Sequence, residues 1–258
     1  MIALYLSGTG NTKHLAGLLL SELGYEGRLV PIESGKAEEV FADDEIIIAY
    51  PTQFSNIPFM VRDFINRHAD SWNGKEVFLI TSMGMFSGDG TGCAARLLKK
   101  HGALVTGGLQ IKMPDSVCDC KALKKTGEQN AEIIKEADKR ILEAAAQMKA
   151  GNYPKEGLSF WSHLAGLFGQ RLWFYNKTTG YTDKLKINID KCVGCGICAG
   201  NCPMQNIRLE NGKAVASSQC TMCYRCISKC PEKAITLLGK EVVEQACYEK
   251  YAYPADNV

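Results

Sequence analysis

The chain has 258 residues, of which 46% are apolar and 22% charged, and its formal net charge is +2. These values are ordinary for a globular protein, and they exclude a disordered chain, a collagen-like chain and a highly charged tail protein. A nucleic-acid-binding protein would normally carry a larger basic excess. Cysteine is the exception: the chain has 12, and eight of them fall between Cys192 and Cys230.

The first residues bear on the compartment. Residues 1–6 are a short apolar segment that leads directly into a glycine-rich loop. The basic start, the longer apolar run and the cleavage site of a secretory signal peptide are missing. No apolar run approaches the ~20 residues that span a bilayer. We therefore expect a cytoplasmic protein with no membrane span, in which clustered cysteines usually bind metal.

Residues 1–150 alternate between short apolar runs and segments with helical periodicity. Apolar, β-branched runs separated by helices predict a doubly wound α/β domain with a parallel sheet. The predicted strands are 2–6, 28–32, 45–49, 75–81 and 104–111, and the predicted helices are 12–23, 58–68, 92–101 and 128–149.

A glycine-rich loop follows the first predicted strand and opens the first helix. Backbone N–H groups and hydroxyls at a helix N-terminus favour an anion. The loop has no lysine, no Walker pattern and no G-x-G-x-x-G. Amides and hydroxyls alone suit a phosphate monoester such as that of FMN, and the alternative is an ordinary polar turn that caps the helix. The loop residues are Ser7, Gly8, Thr9, Gly10, Asn11 and Thr12.

This loop closely resembles the phosphate loop of flavodoxins. The resemblance implies a flavodoxin-like, five-stranded parallel sheet of order 2-1-3-4-5, with FMN where the strand order reverses. The loops after the third and fourth strands should then face the isoalloxazine ring. Tyr50, Phe54, Met85 and Phe86 are candidates to stack on it, although the three aromatic residues also fit core packing and Asp89 also fits a helix cap. The expected ring-side residues are Pro51, Thr52, Gln53, Phe54, Ser82, Met83, Gly84, Met85 and Phe86.

Residues 151–185 are rich in aromatic side chains, and residues 158–174 fit an amphipathic helix. Three interpretations are open: packing against the first domain or between domains, a partner surface, and a helix on a membrane surface. Only Arg171 and Lys177 are basic nearby, which disfavours the membrane.

Residues 186–240 contain an internal repeat at an offset of 28 residues. The pattern Cys-x2-Cys-x2-Cys-x3-Cys-Pro occurs twice, ending at Pro203 and at Pro231. The short gaps let one tight loop present three thiolates to one metal centre. Zinc sites use cysteine pairs with longer spacers, so zinc is disfavoured. Gly194 and Gly196 let backbone N–H groups approach sulfur in the first half, whereas other residues stand there in the second.

The spacing resembles the bacterial dicluster ferredoxin family. The resemblance implies a small α+β domain with two [4Fe-4S] clusters, in which the fourth cysteine of each run crosses to the other cluster. It also implies that the module does not fold without its metal. The implied ligand sets are Cys192, Cys195 and Cys198 with Cys230, and Cys220, Cys223 and Cys226 with Cys202.

The whole chain resembles the flavodoxin–ferredoxin fusion proteins of anaerobic bacteria. The expected domains are 1–150 (flavodoxin-like, FMN), 151–185 (aromatic linker), 186–240 (ferredoxin) and 241–258 (tail). The resemblance implies an electron-transfer protein that relays low-potential electrons between FMN, the clusters and a redox protein partner. The alternatives are an FMN-dependent oxidoreductase that reduces a small molecule with electrons from the clusters, and a regulatory protein with an empty flavin loop. No histidine has a partner at catalytic spacing, so we assign no catalytic residue.

Two further features remain open at this stage. Residues 186–240 hold 8 basic and 3 acidic side chains, a net +5. This charge indicates either attraction of an acidic partner or an ordinary solvated surface. Cys118 and Cys120 are either a redox pair or loop thiols near the domain interface. The basic candidates for partner attraction are Arg208, Lys213, Arg225, Lys229 and Lys233.

Overall fold

A parallel sheet organises the first half of the computed structural model, which describes residues 1–173 and 180–253. The strands are β1 (Ile2–Tyr5), β2 (Leu29–Pro31), β3 (Glu45–Pro51), β4 (Glu76–Met83) and β5 (Leu104–Lys112). All neighbours pair in parallel in the order β2-β1-β3-β4-β5, so the expected sheet order is confirmed. Strands β3 and β4 run two residues further than predicted, because Tyr50 still pairs with Thr81 and Pro51 with Ser82.

Helices cover both faces of this sheet. They are α1 (Asn11–Glu22), α2 (Ala37–Phe41), α3 (Phe59–Arg67), α4 (Gly90–Lys100) and α5 (Gly127–Lys149). Helix α2 was not predicted, since a five-residue helix with only Val40 buried shows no periodicity. Pro58 precedes α3 as its cap residue, with φ of −57°.

Alternating strand residues divide the sheet into two cores. Ile46 and Ile48 face the side of α3 and α4, and Ile47 and Ala49 face the side of α1 and α5. This period of two follows from the pleat of the strand. The core on the α1 and α5 side is continuous with buried residues of the C-terminal module.

The C-terminal module is built from short elements that follow the cysteine repeat. They are β6 (Lys186–Ile187), α7 (Ile197–Asn201), β7 (Ile207–Glu210), β8 (Lys213–Ala216), α8 (Arg225–Lys229) and β9 (Ile235–Thr236). Strand β6 pairs antiparallel with β9, and β7 with β8. Helices α7 and α8 are equal in length and lie 28 residues apart, so the repeat is structural as well as sequential.

Residues 241–253 fasten the module to the first domain, and we call this segment the clasp. The N–H groups of Val243 and Glu244 donate to the carbonyl of Cys118. The N–H of Tyr248, at the start of α9 (Tyr248–Ala252), donates to the Thr9 carbonyl. The clasp is thus an interdomain contact, which the expectation of a plain tail did not foresee.

The aromatic segment forms α6 (Phe160–Gly166) and a π-helical turn, Leu167–Arg171. The predicted helix spanned 158–174, and its last residue lies outside the described residues, as does Lys177. The segment packs on the start of α4 and leaves Trp161, Phe168 and Trp173 largely exposed. Among residues 1–173 and 180–253, none of the helices has the length and apolarity that crossing a membrane requires.

Candidate functional site

A cavity of about 280 Å³ opens at the carboxyl ends of β1, β3 and β4. We call it the sheet-edge cavity. Parallel α/β sheets bind ligands at this edge, where the strand order reverses. Of the residues proposed to hold FMN, those lining it are Ser7, Gly8, Thr9, Asn11, Thr12, Pro51, Thr52, Gln53, Phe54, Ser82, Met83, Gly84, Met85 and Phe86. Gly10 does not line it: with φ of +94° it caps α1 and lies against Tyr248 of the clasp.

The loop between β1 and α1 holds buried polar atoms that lack protein partners. Among the described residues, the buried Ser7 hydroxyl makes no hydrogen bond and can donate to a ligand, whereas the Asn11 side-chain oxygen, which also has no partner, can only accept. A buried hydroxyl without a partner costs stability unless a ligand satisfies it. The first turn of α1 carries no acidic side chain to oppose an anion. This end of the cavity therefore fits a phosphate group.

Two hydroxyl pairs complete the same end. Thr9 Oγ1 and Ser116 Oγ share a hydrogen bond of 2.9 Å, and Thr12 Oγ1 and Ser82 Oγ share one of 2.8 Å. In each pair one hydroxyl donates to the other, and the accepting hydroxyl keeps its own proton. Each pair therefore retains one O–H that is free to donate to a bound anion.

The opposite end of the cavity is apolar and open. Met85 is 72% exposed and Phe86 46%, and both line the mouth. Phe54 lines the wall in a tight turn closed by Gln53 and Asn56, which exchange backbone hydrogen bonds of 3.1 and 3.0 Å. Tyr50 does not reach the cavity. It is fully buried in the core, where its hydroxyl donates to the Gly90 carbonyl, so it is a packing residue.

The wall also includes residues that sequence reasoning did not assign to the site. One group follows β5, a second belongs to the C-terminal module, and Gln170 comes from the aromatic segment. Burial raises the pKa of Asp115, the carboxyl in the first group. No local signal in the sequence pointed to the second group. The additional residues are Met113, Pro114, Asp115, Ser116, Val117, Leu123, Gln170, Met222, Cys223, Tyr224 and Leu238.

Residues 220–230, the second cysteine loop, form part of this wall. The Gln53 amide donates to the Thr221 carbonyl at 2.9 Å. Arg225 donates to the Ser7 carbonyl at 2.8 Å and pairs with Glu33 at 2.6 Å. A Cβ on Gly8 would lie 1.7 Å from the Cys223 carbonyl oxygen, so only glycine permits this contact.

Two smaller cavities in the module are each lined by four cysteines. One is lined by Cys192, Cys195, Cys198 and Cys230, and the other by Cys202, Cys220, Cys223 and Cys226. The fourth cysteine of each set comes from the other half of the repeat. Within the described ranges, no three His, Cys, Asp or Glu side chains lie close enough together to hold a single metal ion. Four thiols around a cavity fit a cluster, which spreads its ligands over several irons.

Backbone N–H groups donate hydrogen bonds to sulfurs of both sets. Those of Asn206 and Ala234 donate to Cys202 and Cys230, each at 3.3 Å and four residues along the chain. Those of Ala214 and Met222 donate to Cys192 and Cys220 at 3.4 Å. Such bonds stabilise thiolate ligands and tune the potential of a cluster.

The thiols differ in how readily they ionise. Burial raises the pKa of Cys223 to about 11. Backbone hydrogen bonds from Ala214 and Gly194 lower the pKa of Cys192. Because metal ligation requires thiolates, loading the second set must release protons that the free protein holds at neutral pH.

The two cysteine sets also differ in exposure. Cys195 is exposed, and its neighbours Val193 and Ile197 are 64% and 40% exposed. Both sets contain buried thiols, Cys198 and Cys230 in the first and Cys226 in the second, but in the second set Cys223 lies between its own cavity and the sheet-edge cavity. The first set therefore reaches the molecular surface, whereas the second lies at the domain interface.

A buried ion cluster near the site holds the aromatic segment. Asp89 occupies the cap position of α4, but its carboxylate makes no cap hydrogen bond. It pairs instead with Arg96 at 2.7 Å, Arg171 at 2.5 Å and His163 at 2.9 Å. This contact supports the interpretation that the segment packs against the first domain.

The thiols at Cys118 and Cys120 are both free. Cys118 is buried at the domain interface, where its sulfur accepts a hydrogen bond from the Ala246 N–H at 3.4 Å. Its carbonyl anchors the clasp. The contacts favour a structural role at the interface.

Comparison with protein families gives two matches. The model of a flavodoxin domain matches residues 2–110, and that of a 4Fe-4S dicluster domain matches residues 184–231. The matches do not overlap, and they fall on the sheet domain and on the cysteine module. A flavodoxin domain implies FMN, and a dicluster domain implies two [4Fe-4S] clusters.

Curated relatives match the cysteine module. A ferredoxin of Methanothermococcus thermolithotrophicus is 38% identical over 55 residues, covering 20% of this chain and 92% of that protein. A ferredoxin of Pyrobaculum islandicum is 38% identical over 64 residues, covering 24% of this chain and 60% of that protein. An uncharacterised protein of Methanocaldococcus jannaschii is 36% identical over 53 residues, and the chain spans only 20% of its length.

Solved structures of flavodoxins align with the sheet domain. The two-electron reduced flavodoxin of Megasphaera elsdenii is 29% identical, with 48% of this chain and 95% of that chain covered and a TM-score of 0.40. A flavodoxin from the domain Archaea is 17% identical, with 57% and 97% covered and a TM-score of 0.41.

Proposed function

The chain joins a flavodoxin domain to a dicluster ferredoxin domain and belongs, through the latter, to the ferredoxin family, and on this premise we propose that it relays low-potential electrons between FMN, two [4Fe-4S] clusters and a redox partner. Both domain types support an electron-transfer role. When bound, FMN exchanges one or two electrons and each cluster exchanges one. The residues proposed to hold FMN are those of the sheet-edge cavity, and the proposed cluster ligands are the two cysteine sets.

One observation carries the proposal. Cys223 and Tyr224 line both the sheet-edge cavity and the cavity of the second cysteine set. The two binding sites therefore lie on opposite sides of the same residues. Fixing them in one chain replaces a bimolecular encounter by a permanent contact, which raises the effective concentration of donor for acceptor.

The two cysteine sets indicate an order of sites. The second set borders the sheet-edge cavity, and the first reaches the surface at Cys195. Helices α7 and α8, which carry one cysteine of each set, pack together. We therefore place the second set next to the flavin and the first set on the side of the external partner.

The size of the sheet-edge cavity favours a carrier over an enzyme. Its volume of about 280 Å³ lies at the lower limit of small-molecule pockets, which span about 300–1,000 Å³. One flavin would fill it, with its ring towards the mouth at Met85 and Phe86. Within the part of the chain that the structure describes, this cavity then has no separate chamber for a substrate.

A flavin oxidoreductase that reduces a small molecule is the second candidate, and Asp115 favours it. This carboxyl lines the cavity, and its burial raises its pKa, as an acid catalyst requires. A substrate that oxidises the loaded protein at a rate abolished by Asp115→Asn would support this candidate. A rate that the substitution leaves unchanged would support the carrier.

Matched substitutions in the two halves of the repeat test the carrier. Cys195→Ser and Cys223→Ser change equivalent positions, 28 residues apart. Each variant, loaded with FMN and clusters, is first titrated stepwise with a reductant in the absence of oxygen. In a second experiment the flavin is reduced rapidly, and visible absorption follows the redox states of the flavin and the clusters over time. We expect flavin and clusters to exchange electrons quickly in Cys195→Ser and slowly in Cys223→Ser.

Two results would overturn the proposal. Equal exchange rates in the two variants would show that the second set is not the neighbour of the flavin. Wild-type protein that holds clusters but takes up no FMN would remove the flavin site, and the first domain would need another function.

A further inference from the structure

We propose that the surface around Cys195 is a docking face for an acidic redox protein, an inference that rests on the proposed electron-transfer function. Three observations lead to it: the exposure of Cys195 in the first cysteine set, an apolar patch around it, and a lysine-lined cleft beside it. Together they select one face of the chain and the charge of the partner that fits it.

The centre of this face is apolar. Val193, Ile197 and Leu209 line the cavity of the first cysteine set, and their side chains are 64%, 40% and 45% exposed. Cys195 is exposed among them. Protein interfaces typically have an apolar centre that excludes water and a polar rim. Water exclusion here would leave the first cysteine set in direct contact with the partner.

The rim of this face is basic. A cleft of about 230 Å³ is lined by four lysines and one acidic residue, Glu241, a net charge of 4 − 1 = +3. The cleft and the cavity of the first cysteine set share Ile187 and Ala234, so the two adjoin. We call it the lysine cleft; its lysines are Lys186, Lys191, Lys233 and Lys240.

The lysine cleft is not neutralised by its own protein. None of the ion pairs found within residues 1–173 and 180–253 uses one of its four lysines. Like charges held together on a surface are unfavourable unless a partner or counterions offset them. The concentration of lysines beside an exposed redox site is therefore a feature that a partner of opposite charge would use.

The five basic residues considered from the sequence are mostly separate from the lysine cleft. Arg225 is turned inwards and pairs with Glu33, and Lys213 donates to the Cys192 carbonyl at 2.5 Å. Lys229 donates to Asn201 at 3.1 Å, and Arg208 pairs with Glu210 at 2.5 Å. Of the five residues considered from the sequence, Lys233 alone lies in the lysine cleft.

The chemistry at this face is the passage of a single electron between the partner's redox centre and the neighbouring cluster. One centre is oxidised and the other reduced, and no covalent bond forms or breaks. A second copy of this chain would bring the same lysines and be repelled. An acidic protein with an apolar centre around its redox group has the complementary surface.

The experiment uses the loaded full chain and two probe proteins of opposite charge. The probes are an acidic plant-type [2Fe-2S] ferredoxin and the basic protein cytochrome c. Rapid mixing gives the second-order rate of electron exchange at low and high salt. The test variant replaces all four lysines of the lysine cleft by glutamine. Its matched control replaces Lys99, Lys100, Lys135 and Lys139, which are exposed on the first domain.

We expect the rate with the acidic probe to fall with salt, and to fall roughly tenfold at low salt in the test variant, the scale of electrostatic steering. The control should stay near wild type. In the test variant the rate with cytochrome c should rise. Iron content and the flavin–cluster exchange inside the chain should be unchanged.

Equal losses in the test variant and the control would overturn the inference, as would a rate with the acidic probe that rises with salt. Self-association of the wild type that the test variant abolishes would assign the face to a second copy instead. A failure of internal flavin–cluster exchange in wild type would overturn the proposed function, and the two failures are thereby distinguishable.

Discussion

The two cysteine loops share their spacing and differ in what surrounds them. At two equivalent positions of the repeat the backbone is left-handed in both loops. The first loop has Gly194 and Gly196 there, with φ of 70° and 76°, and the second has Met222 and Tyr224, with φ of 55° and 61°. The repeat determines the backbone conformation at these positions, whereas the surrounding structure determines the residue type.

The surroundings explain why each loop has the residues it has. A Cβ on Gly194 would lie 2.1 Å from the Gly212 carbonyl, so the first loop has no room for a side chain there. In the second loop a left-handed residue other than glycine costs about 1–2 kcal/mol. Met222 offsets this cost by packing against the buried core, and Tyr224 by donating to buried Asp119.

The comparison shows that different residues determine the metal-binding geometry of a loop and its contact with the first domain. Cysteine spacing is the same in both halves, while the intervening side chains decide whether a loop faces solvent or the first domain. Ile197 and Arg225 are equivalent in the repeat: the first is exposed, and the second reaches Ser7 and Glu33.

The largest expected effect comes from removing the carboxylate that anchors the second half. Asp119 accepts hydrogen bonds from the Tyr224 hydroxyl at 3.0 Å and from the N–H groups of Leu237, Leu238 and Gly239 at 2.6 to 3.1 Å. Asp119→Ala leaves these buried donors unpaired and should lower the free energy of unfolding by about 3 kcal/mol. Urea unfolding of the loaded protein measures it.

Asp190→Ala is the matched control, because Asp190 is an exposed carboxylate beside the first loop. It should change the free energy of unfolding by less than about 0.5 kcal/mol. If both variants lose a similar free energy of unfolding, the second loop depends on the first domain no more than the first loop does.

The next largest effect is expected when a substitution breaks the contact between the second loop and the glycine-rich loop. Gly8→Ala places a Cβ 1.7 Å from the Cys223 carbonyl, so the domains must shift. We expect a loss of about 1–3 kcal/mol, typical of overpacking, together with weaker FMN binding. Thermal unfolding and a flavin fluorescence titration measure the two quantities. Gly200→Ala is the control, because a Cβ there meets no atom within 4 Å; an equal loss in both would contradict the interpretation.

A smaller effect sharpens the role of the tyrosine in the second loop. Tyr224→Phe keeps the ring and removes the hydrogen bond to Asp119. The free energy of unfolding should fall by about 1 kcal/mol. Tyr253→Phe, at a side chain that is 74% exposed, should leave it unchanged. If Tyr224→Phe leaves the free energy of unfolding unchanged, the ring of Tyr224 alone stabilises its contact with the first domain.

The smallest effect is a pH dependence at Asp115. Burial raises the pKa of this carboxyl in the folded protein, so folding favours its neutral form. That contribution to stability is complete below the usual pKa of aspartate, about 3.9, and is lost as the pH rises through the folded value. Asp115→Asn should therefore raise thermal stability at neutral pH by less than about 1 kcal/mol, with no gain at pH near 3. A gain that is independent of pH would assign the effect to another cause.

Local patterns in the sequence predicted the strands and helices of the first domain, and the resemblance to flavodoxins implied the sheet order and most of the sheet-edge cavity. Strand and loop positions follow from short-range periodicity, and the switch point of a parallel sheet follows from strand order. The loops at Gln53 and Met85, which this rule puts at the switch point, line the cavity in the structure. Tyr50 was left open, because burial in a core and exposure at a strand end look alike in sequence.

The interdomain parts of the site could not be predicted in this way. Asp119, Tyr224 and Tyr248 make their contacts across 100 residues or more. No local period marks a residue whose partner belongs to another domain. The order of the two cysteine sets relative to the cavity is hidden for the same reason, since the repeat makes both halves look equivalent.

The clasp has a consequence for how the molecule is made and rebuilt. A protein grows from its N-terminus, and domains fold as units during synthesis. The clasp emerges only after both domains, so their docking can be completed only when residues 241–253 have been synthesised. A ferredoxin module transplanted from another protein at residue 240 would retain its cysteines and lose the hydrogen bonds to Thr9 and Cys118. A ferredoxin module that is to be exchanged should therefore include the clasp, up to residue 253.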